Sequence, residues 1–360
     1  MSTPLPGMQR VDVSALCAYR DRIDVRSPAE FAQDHIPAAA NHPVLDDAER
    51  ARIGTLYAAS PFSARRHGAA LVARNIAAML ETAFGDRGRD WRPLVYCWRG
   101  GQRSRSLAQV LNEVGWRAVQ LDGGYRAYRR HVVSELGRLP QRCRFVVICG
   151  LTGSGKSRLL SALQRAGAQT LDLEAIARHR GSLLGDLPGD PQPSQKWFES
   201  QLYDALQGLD PSRPVFVESE SRRIGGVQMP DALLAQMRSG RVLRLVTPLP
   251  QRVALLKDEY AHFLDAPAQL AACLQPLTER YGKTSIARWQ TMAASGDWDG
   301  LVAALLEAHY DPLYALSLER NFPSSRDACV VEAHAVSAEA FAALAGEVRA
   351  TLDLAAEVAS

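Results

Sequence analysis

The sequence predicts an α/β protein of two successive domains, each built on a parallel sheet, with helices extending the second at its carboxyl end. Three observations carry this. Short apolar runs with strand character alternate with stretches of helical periodicity from about Arg22 to Gly124, and again from Phe145 to about Pro250. The 360 residues exceed one ordinary core and suit two. In each half a glycine-containing turn directly follows an apolar strand, after Cys97 and after Cys149.

In the first half, Ile23 and Val25 of DRIDV alternate with polar neighbours, and Ser27-Pro28-Ala29-Glu30 is a capping box with proline at the first helical position. A basic helical stretch (65–84), the strand PLVYC (93–97), a helix from about Ser104 to Val114 and the strand AVQLDGG (118–124) follow. Gly137 and Pro140 mark a boundary. The expected division is a domain at 1–130, a basic linker at 131–142 and a second domain at 143–360. Its strands are FVVIC (145–149), AQTLDLE (168–174), PVFVESES (214–221) and RVLRLVTPL (241–249). Past Pro250 the segments 251–264, 277–293 and 298–316 have helical spacing, before a strand-like CVVEAH (329–334) and an alanine-rich final helix.

An apolar fraction of 47% and a charged fraction of 22% are ordinary for globular chains and exclude disordered and fibrous classes. No apolar run exceeds six residues, and no signal-type segment opens the chain. A cytoplasmic protein with no membrane association is expected. The cysteines, Cys17, Cys97, Cys143, Cys149, Cys273 and Cys329, form no CxxC pair, so reduced thiols are expected. The histidines lack metal-ligand spacing; His179 reads as a surface or anion contact, and no structural metal is expected. Net charge is +3, with arginines clustered at 125–131, 139–144 and 219–226. Such clusters are usually solvated faces, with nucleic acid as the alternative partner.

Gly150-Leu151-Thr152-Gly153-Ser154-Gly155-Lys156-Ser157 matches GxxxxGK[ST] between a strand and a helix, where a phosphate cradle belongs. Its glycines let backbone N–H groups turn onto phosphate oxygens, Lys156 reaches the terminal phosphates, and Ser157 can ligate Mg²⁺. Glu218 stands where a metal-side aspartate is common. Asp172 and Glu174 either face the cradle or cap the following helix. A diphosphate other than ATP fits the same cradle.

Cys97 ends a strand, and Gly100-Gly101 permits a tight turn before the helix near Ser104. Inward N–H groups and a helix N-terminus around the sulfur favour a thiolate nucleophile. The spacing Cys97-x5-Arg103 suits a phosphatase, in which Arg99 and Arg103 surround a phosphoryl group, and equally a sulfurtransferase that carries sulfur or selenium on the thiol. Spacing alone leaves both open.

The segments DVRSPAEFAQDHIPAAANHPV (24–44), VYCWRGGQRS (95–104) and LDGGYRAYR (121–129) resemble the rhodanese domain. Followed by GLTGSGKS (150–157), LDLEAIARHRGS (171–182), QPSQKWFES (192–200) and VESESRRIG (217–225), they make essentially the whole chain similar to the tRNA 2-selenouridine synthase family. The resemblance implies a rhodanese-like parallel-sheet domain followed by a P-loop NTPase-like α/β domain. It implies replacement of sulfur by selenium in wobble 2-thiouridine of tRNA, with selenophosphate and geranyl diphosphate as co-substrates and an S-geranyl intermediate. Gly150, Gly153, Ser154, Gly155, Lys156 and Ser157 would then hold the diphosphate. Cys97 would accept or present selenium as a perselenide, with Arg99 and Arg103 steadying the anion. The tRNA would follow Arg129, Arg130, Arg142, Arg144, Arg222 and Arg223, and a selenophosphate-supplying enzyme is a further partner. Trp197, Phe198 and Leu202 are candidates for an apolar slot holding the geranyl chain, with core packing the stronger reading. The loop from Cys97 to Arg103 is one residue longer than the usual sulfurtransferase loop, which argues against a cyanide-detoxifying role. A phosphatase, a P-loop kinase and a module that merely docks tRNA are the competing classes.

Overall fold

The computed structural model describes residues 9–182, 184–322 and 328–357. The chain divides into two compact units: residues up to Leu136 together with Pro193–Asp204, and Gly137–Gln192 together with residues from Ala205 onward.

The first unit contains β1 (Arg10–Val11), β2 (Arg22–Asp24), α1 (Pro28–Gln33), β3 (Ala39–Asn41), α2 (Asp47–Ala59), α3 (Pro61–Glu81), β4 (Leu94–Tyr96), α4 (Gln102–Val114), β5 (Val119–Leu121) and α5 (Gly124–Arg138). The strands form one parallel sheet in the order β1-β5-β4-β2-β3. All three residues of β4 and of β5 are buried, as expected when helices cover both faces of a parallel sheet. One face packs Ile23 and Val95 against Ile76 and Met79 of α3 and Leu107 and Leu111 of α4. The capping box at Ser27 and Glu30 starts α1 as expected. Strands β1 and β3, two and three residues long, and helix α2 carry too little pattern to have been expected.

The stretch 131–142 is helical: α5 runs to Arg138 and a 3₁₀ turn covers Leu139–Arg142. Leu136, Leu139 and Pro140 are buried, which fixes that stretch by packing.

The second unit contains β6 (Arg144–Cys149), α6 (Lys156–Arg165), β7 (Gln169–Leu171), α7 (Leu173–Ala177), the end of α8 (Gln195–Gln207), β8 (Pro214–Glu218), the short pair β9 (Arg223–Ile224) and β10 (Val227–Gln228), α9 (Asp231–Arg238) and β11 (Arg241–Val246). Helices α10 (Leu249–Glu259), α11 (Ala261–Leu264), α12 (Pro267–Leu274), α13 (Thr278–Ser295), α14 (Trp298–Leu305) and α15 (Asp311–Asn321) follow, then β12 (Cys329–Glu332) and α16 (Ala338–Glu357). Its parallel sheet has the order β12-β11-β6-β8-β7. Val146 and Ile148 of β6 pack on Leu159, Leu160 and Leu163 of α6 and on Phe341 and Leu344 of α16. The helical extension has its own core, built from Phe263, Leu270, Leu274, Ile286, Trp289, Leu301 and Leu305.

In the first unit Arg26 is buried and ion-paired with buried Asp24 at 2.6 Å, donates to the Asp34 carbonyl at 2.7 Å, and stacks 3.9 Å from the Tyr125 ring centroid. Tyr125 in turn donates to Asp34 Oδ2 at 2.6 Å. Removing one member of a buried pair strands the other charge. Asp24→Ala is therefore expected to lower unfolding free energy by about 3–5 kcal/mol, measured by urea denaturation.

Candidate functional site

Because every strand in each sheet runs the same way, the loop after β4 and the loop after β6 both open at the carboxyl edge of their own sheets. In the first unit that loop holds Cys97. Its Sγ accepts hydrogen bonds from the Gly101 N–H and the Ser104 hydroxyl, both at 3.2 Å. Gln120 on β5 ties the loop down through the carbonyls of Gly100 and Gly101, at 2.9 and 3.0 Å, and through Ser104 Oγ at 2.8 Å. The loop closes against the β5–α5 turn, where a Cβ on Gly124 would lie 2.3 Å from the Cys97 carbonyl oxygen and 2.4 Å from the Gly100 nitrogen. Only glycine fits. Tyr125 and Arg126 complete the closure by donating to the carbonyls of Cys97 and Trp98.

The two loop arginines differ. Arg99 is exposed, whereas Arg103 is half-buried and paired with Glu30 Oε2 at 2.9 Å. Glu30 also meets Arg50, and these two cations outweigh its burial and hold its carboxyl below the usual range. An anion near the sulfur would meet the Gly101 N–H and the amino end of α4 directly, and Arg103 only by drawing it from Glu30.

In the second unit the glycine-rich loop leads from β6 into α6. Gly155 has φ +87°, and a Cβ there would meet the Phe341 ring at 2.4 Å, so α16 packs tightly beneath the loop. Lys156 Nζ donates to the Gly150 and Leu151 carbonyls, at 2.9 and 3.3 Å, and lies 5.1 Å from the Tyr314 ring centroid. The Gly150 N–H donates to Tyr314 Oη at 3.0 Å. Arg252, paired with Asp311 at 2.5 and 3.0 Å, anchors the loop by donating to the Thr152 carbonyl at 2.9 Å.

Beside the lysine, Glu174, Glu218 and Glu220 bring ligand oxygens within 4.8 Å of one another. Ser157 donates to Glu174 at 3.5 Å, and the buried Glu218 Oε1 has no hydrogen-bond partner. Burial, reinforced by repulsion from neighbouring carboxylates, pushes Glu174 up to about 9, Glu218 to about 8 and Glu220 to about 7, with Lys156 opposing the rise. Burial alone would lower Lys156, but Tyr314, Glu218, Glu174 and Glu220 outweigh it and hold the ammonium above its ordinary range. Clustered carboxylates, an orphaned oxygen and a neighbouring hydroxyl suit a hard divalent cation such as Mg²⁺.

These groups line a cavity of about 430 Å³. The lining combines Lys156, Ser157, Arg180 and the three glutamates with Leu256, Tyr310, Leu313, Leu318 and Phe322. Arg180 donates to the Glu259 carbonyl at 2.7 Å and lies over the Tyr260 ring. An anion bound by the loop would thus share the cavity with two cationic side chains and with apolar ones.

The expected site residues separate into those brought together and those placed elsewhere. Gly150, Gly153, Ser154, Gly155, Lys156 and Ser157 form one loop with Glu174 and Glu218 beside it. Asp172 instead caps α7, accepting from the Ala175 N–H at 2.8 Å. Glu220 was missed, although its spacing of two from Glu218 at a strand end places both on one side. His179 is buried and accepts from the Gly181 N–H at 3.0 Å, so it is not a surface contact. Arg129 is half-buried and paired with Glu199 and Asp34. Arg130, Arg142, Arg144, Arg222 and Arg223 are exposed. In the second unit they do not form one stripe: Arg144 begins β6 at the amino edge of the sheet, while Arg222 and Arg223 lie past the carboxyl end of β8. Trp197 stacks on His35 within the first unit, and Phe198 and Leu202 are fully buried, so this trio lines no slot. None of the six cysteines is in a disulfide.

Fold and loops define a rhodanese-type thiol domain joined to a P-loop domain. Residues 14–131 match the rhodanese-like domain family, and residues 143–339 match the tRNA 2-selenouridine synthase AAA domain. The chain is 33% identical to the tRNA 2-selenouridine synthase of Nitrosomonas europaea, over 82% of this chain and 78% of that one. The corresponding proteins of Bdellovibrio bacteriovorus (32%, covering 83% and 89%) and Verminephrobacter eiseniae (36%, covering 81% and 87%) are similarly related. The chain belongs to the tRNA 2-selenouridine synthase family.

The raised carboxyls make stability depend on pH. Between 4.5 and about 8, the native Glu218 keeps a proton that the unfolded chain has released, so the native state loses stability as pH rises through that window. Glu218→Gln is expected to flatten this fall, measured by denaturant midpoints across the window.

Proposed function

We propose that this chain converts wobble 2-thiouridine of tRNA into 2-selenouridine in two stages, using geranyl diphosphate and then selenophosphate. The main support is the cavity whose lining combines Lys156 and Arg180 with leucines and aromatic rings, a composition suited to a diphosphate with a hydrocarbon tail.

In the first stage the thiocarbonyl sulfur attacks the allylic carbon of geranyl diphosphate. The new S–C bond forms as the C–O bond to diphosphate breaks, and the base releases its ring N–H proton. Lys156, Arg180 and the loop N–H groups stabilise the charge that grows on the leaving diphosphate. Ser157, Glu174 and Glu218 would hold Mg²⁺, which when bound neutralises part of that charge.

Alkylated sulfur leaves more readily than a thiocarbonyl. In the second stage the selenium of selenophosphate adds at the base carbon and geranylthiolate departs. The Se–P bond must then break. A perselenide on Cys97 would require selenium oxidised by an electron pair relative to selenophosphate, and no oxidant enters the reaction. Cys97 is therefore assigned to phosphorus: its thiolate attacks there, selenium leaves on the base, and water releases phosphate from the S-phosphocysteine. The Gly101 N–H and the amino end of α4 stabilise the phosphoryl anion, with Arg103 recruited from Glu30 and Arg99 closing the exposed side. The reaction belongs in the cytoplasm, beside tRNA and a selenophosphate-supplying enzyme, and exposed arginines such as Arg130 and Arg223 meet tRNA phosphates.

Nucleoside mass spectrometry on thiolated tRNA tests this. Wild type should give the geranylated and then the seleno nucleoside. Lys156→Ala should slow geranylation by about 100-fold, and Cys97→Ala should accumulate a selenophosphorylated nucleoside. A tRNA whose mass never changes would overturn the proposal, and full selenation by Cys97→Ala would remove the thiol from it.

A further inference from the structure

A second space adjoins the cavity beside the P-loop. Its volume is about 70 Å³, it shares Thr152, Ser182, Leu256, Tyr260 and Tyr310 with that cavity, and it lies among the helices of the carboxyl extension. Its further walls are Phe263, Leu270, Trp298, Leu301, Val302 and Leu305, contributed by α11, α12 and α14. Three of the polar groups on its lining are already engaged. Ser182 Oγ and Tyr260 Oη lie 3.2 Å apart in a hydrogen bond, and Lys257 is paired with Asp299 at 2.7 Å.

A nucleotide base in this annex would lose water from its polar edge and meet mostly apolar side chains there. A saturated or alkenyl chain meets no such cost and gains from every carbon removed from water. The shared lining makes the two spaces neighbours, one lined by Lys156 and Ser157 at the phosphate end and the other by α14.

We propose that the annex receives the hydrocarbon tail of the diphosphate held by the P-loop, and that Val302 and Leu305 on α14 set the length of tail accepted. This deepens the function proposed above and rests on its assignment of the P-loop to a prenyl diphosphate. The enzyme is then selective for an aliphatic chain through a helix more than a hundred residues from the P-loop in sequence. Chain length and phosphate binding become separable properties.

Titration calorimetry on the full chain, with inorganic diphosphate, dimethylallyl diphosphate, geranyl diphosphate and farnesyl diphosphate as probes, tests the proposal. Wild type should bind the geranyl compound at least about 10-fold more tightly than the dimethylallyl one, in keeping with the transfer of added methylene groups out of water. Val302→Phe, which fills the annex, should abolish that increment and leave the affinity for inorganic diphosphate unchanged. The unchanged affinity also reports that the variant is folded. Leu305→Ala, which enlarges the annex, should move preference toward the farnesyl compound. Equal binding of geranyl and dimethylallyl diphosphates by wild type, or an increment intact in Val302→Phe, would overturn the annex while leaving the P-loop assignment standing. Failure of wild type to bind even inorganic diphosphate would remove the P-loop assignment and the annex with it.

Discussion

Parallel strand order is the constraint on which both sites depend. A parallel sheet can be continued only by crossovers that return the chain to the same edge, so all strand-to-helix loops gather there. At that edge a loop inherits the unpaired N–H groups that open the next helix. The Cys97 loop and the Gly150–Ser157 loop are two uses of this one consequence. In the first, the N–H of Gly101 points at a sulfur; in the second, the loop wraps a lysine whose ammonium donates to the loop's own carbonyls.

Charge in the P-loop cavity is arranged against burial. Three glutamates are forced together with one lysine, and the protein relieves the excess negative charge by keeping carboxyls protonated. A bound divalent cation would relieve it by displacing those protons. The cavity's glutamates and lysine thus answer one another's charge, while the leucines and aromatic rings of the same lining have no charge to answer. The thiol loop follows the opposite scheme. Its arginine is already neutralised by Glu30, and the sulfur relies on backbone and hydroxyl donors held in place by Gln120.

Much of this was legible in the sequence because local pattern and tertiary role coincide there. The apolar runs at 94–96, 145–149 and 215–217 are buried throughout, and GxxxxGK[ST] is readable because each position answers a local need. The two-residue β1 and three-residue β3 escaped because they are shorter than one period of any pattern. Glu220 and Arg180 were not assigned to the P-loop cavity, which draws on segments far apart in sequence. The apolar wall was sought on the helix of Trp197, whose periodicity is that of a core face. Periodicity reports that a face is buried and says nothing of what buries it. The pairing of Arg129 with Glu199 was invisible for the same reason: an arginine cluster looks alike whether it faces water or a partner seventy residues away.

The first unit is discontinuous in the chain. Residues 193–204 supply Trp197 to stack on His35, Glu199 to pair with Arg129, Tyr203 to bond His131, and Ser194 to donate to the Gln33 carbonyl. During synthesis on the ribosome, the amino-terminal sheet emerges whole long before these partners exist. The unit reaches its final packing only after the phosphate loop and two strands of the second sheet have also been made. Its last step of assembly therefore waits on translation of the other domain, so a stalled chain ending before residue 193 would leave Arg129 with Asp34 but without Glu199, and the thiol-bearing sheet without the final layer of its packing.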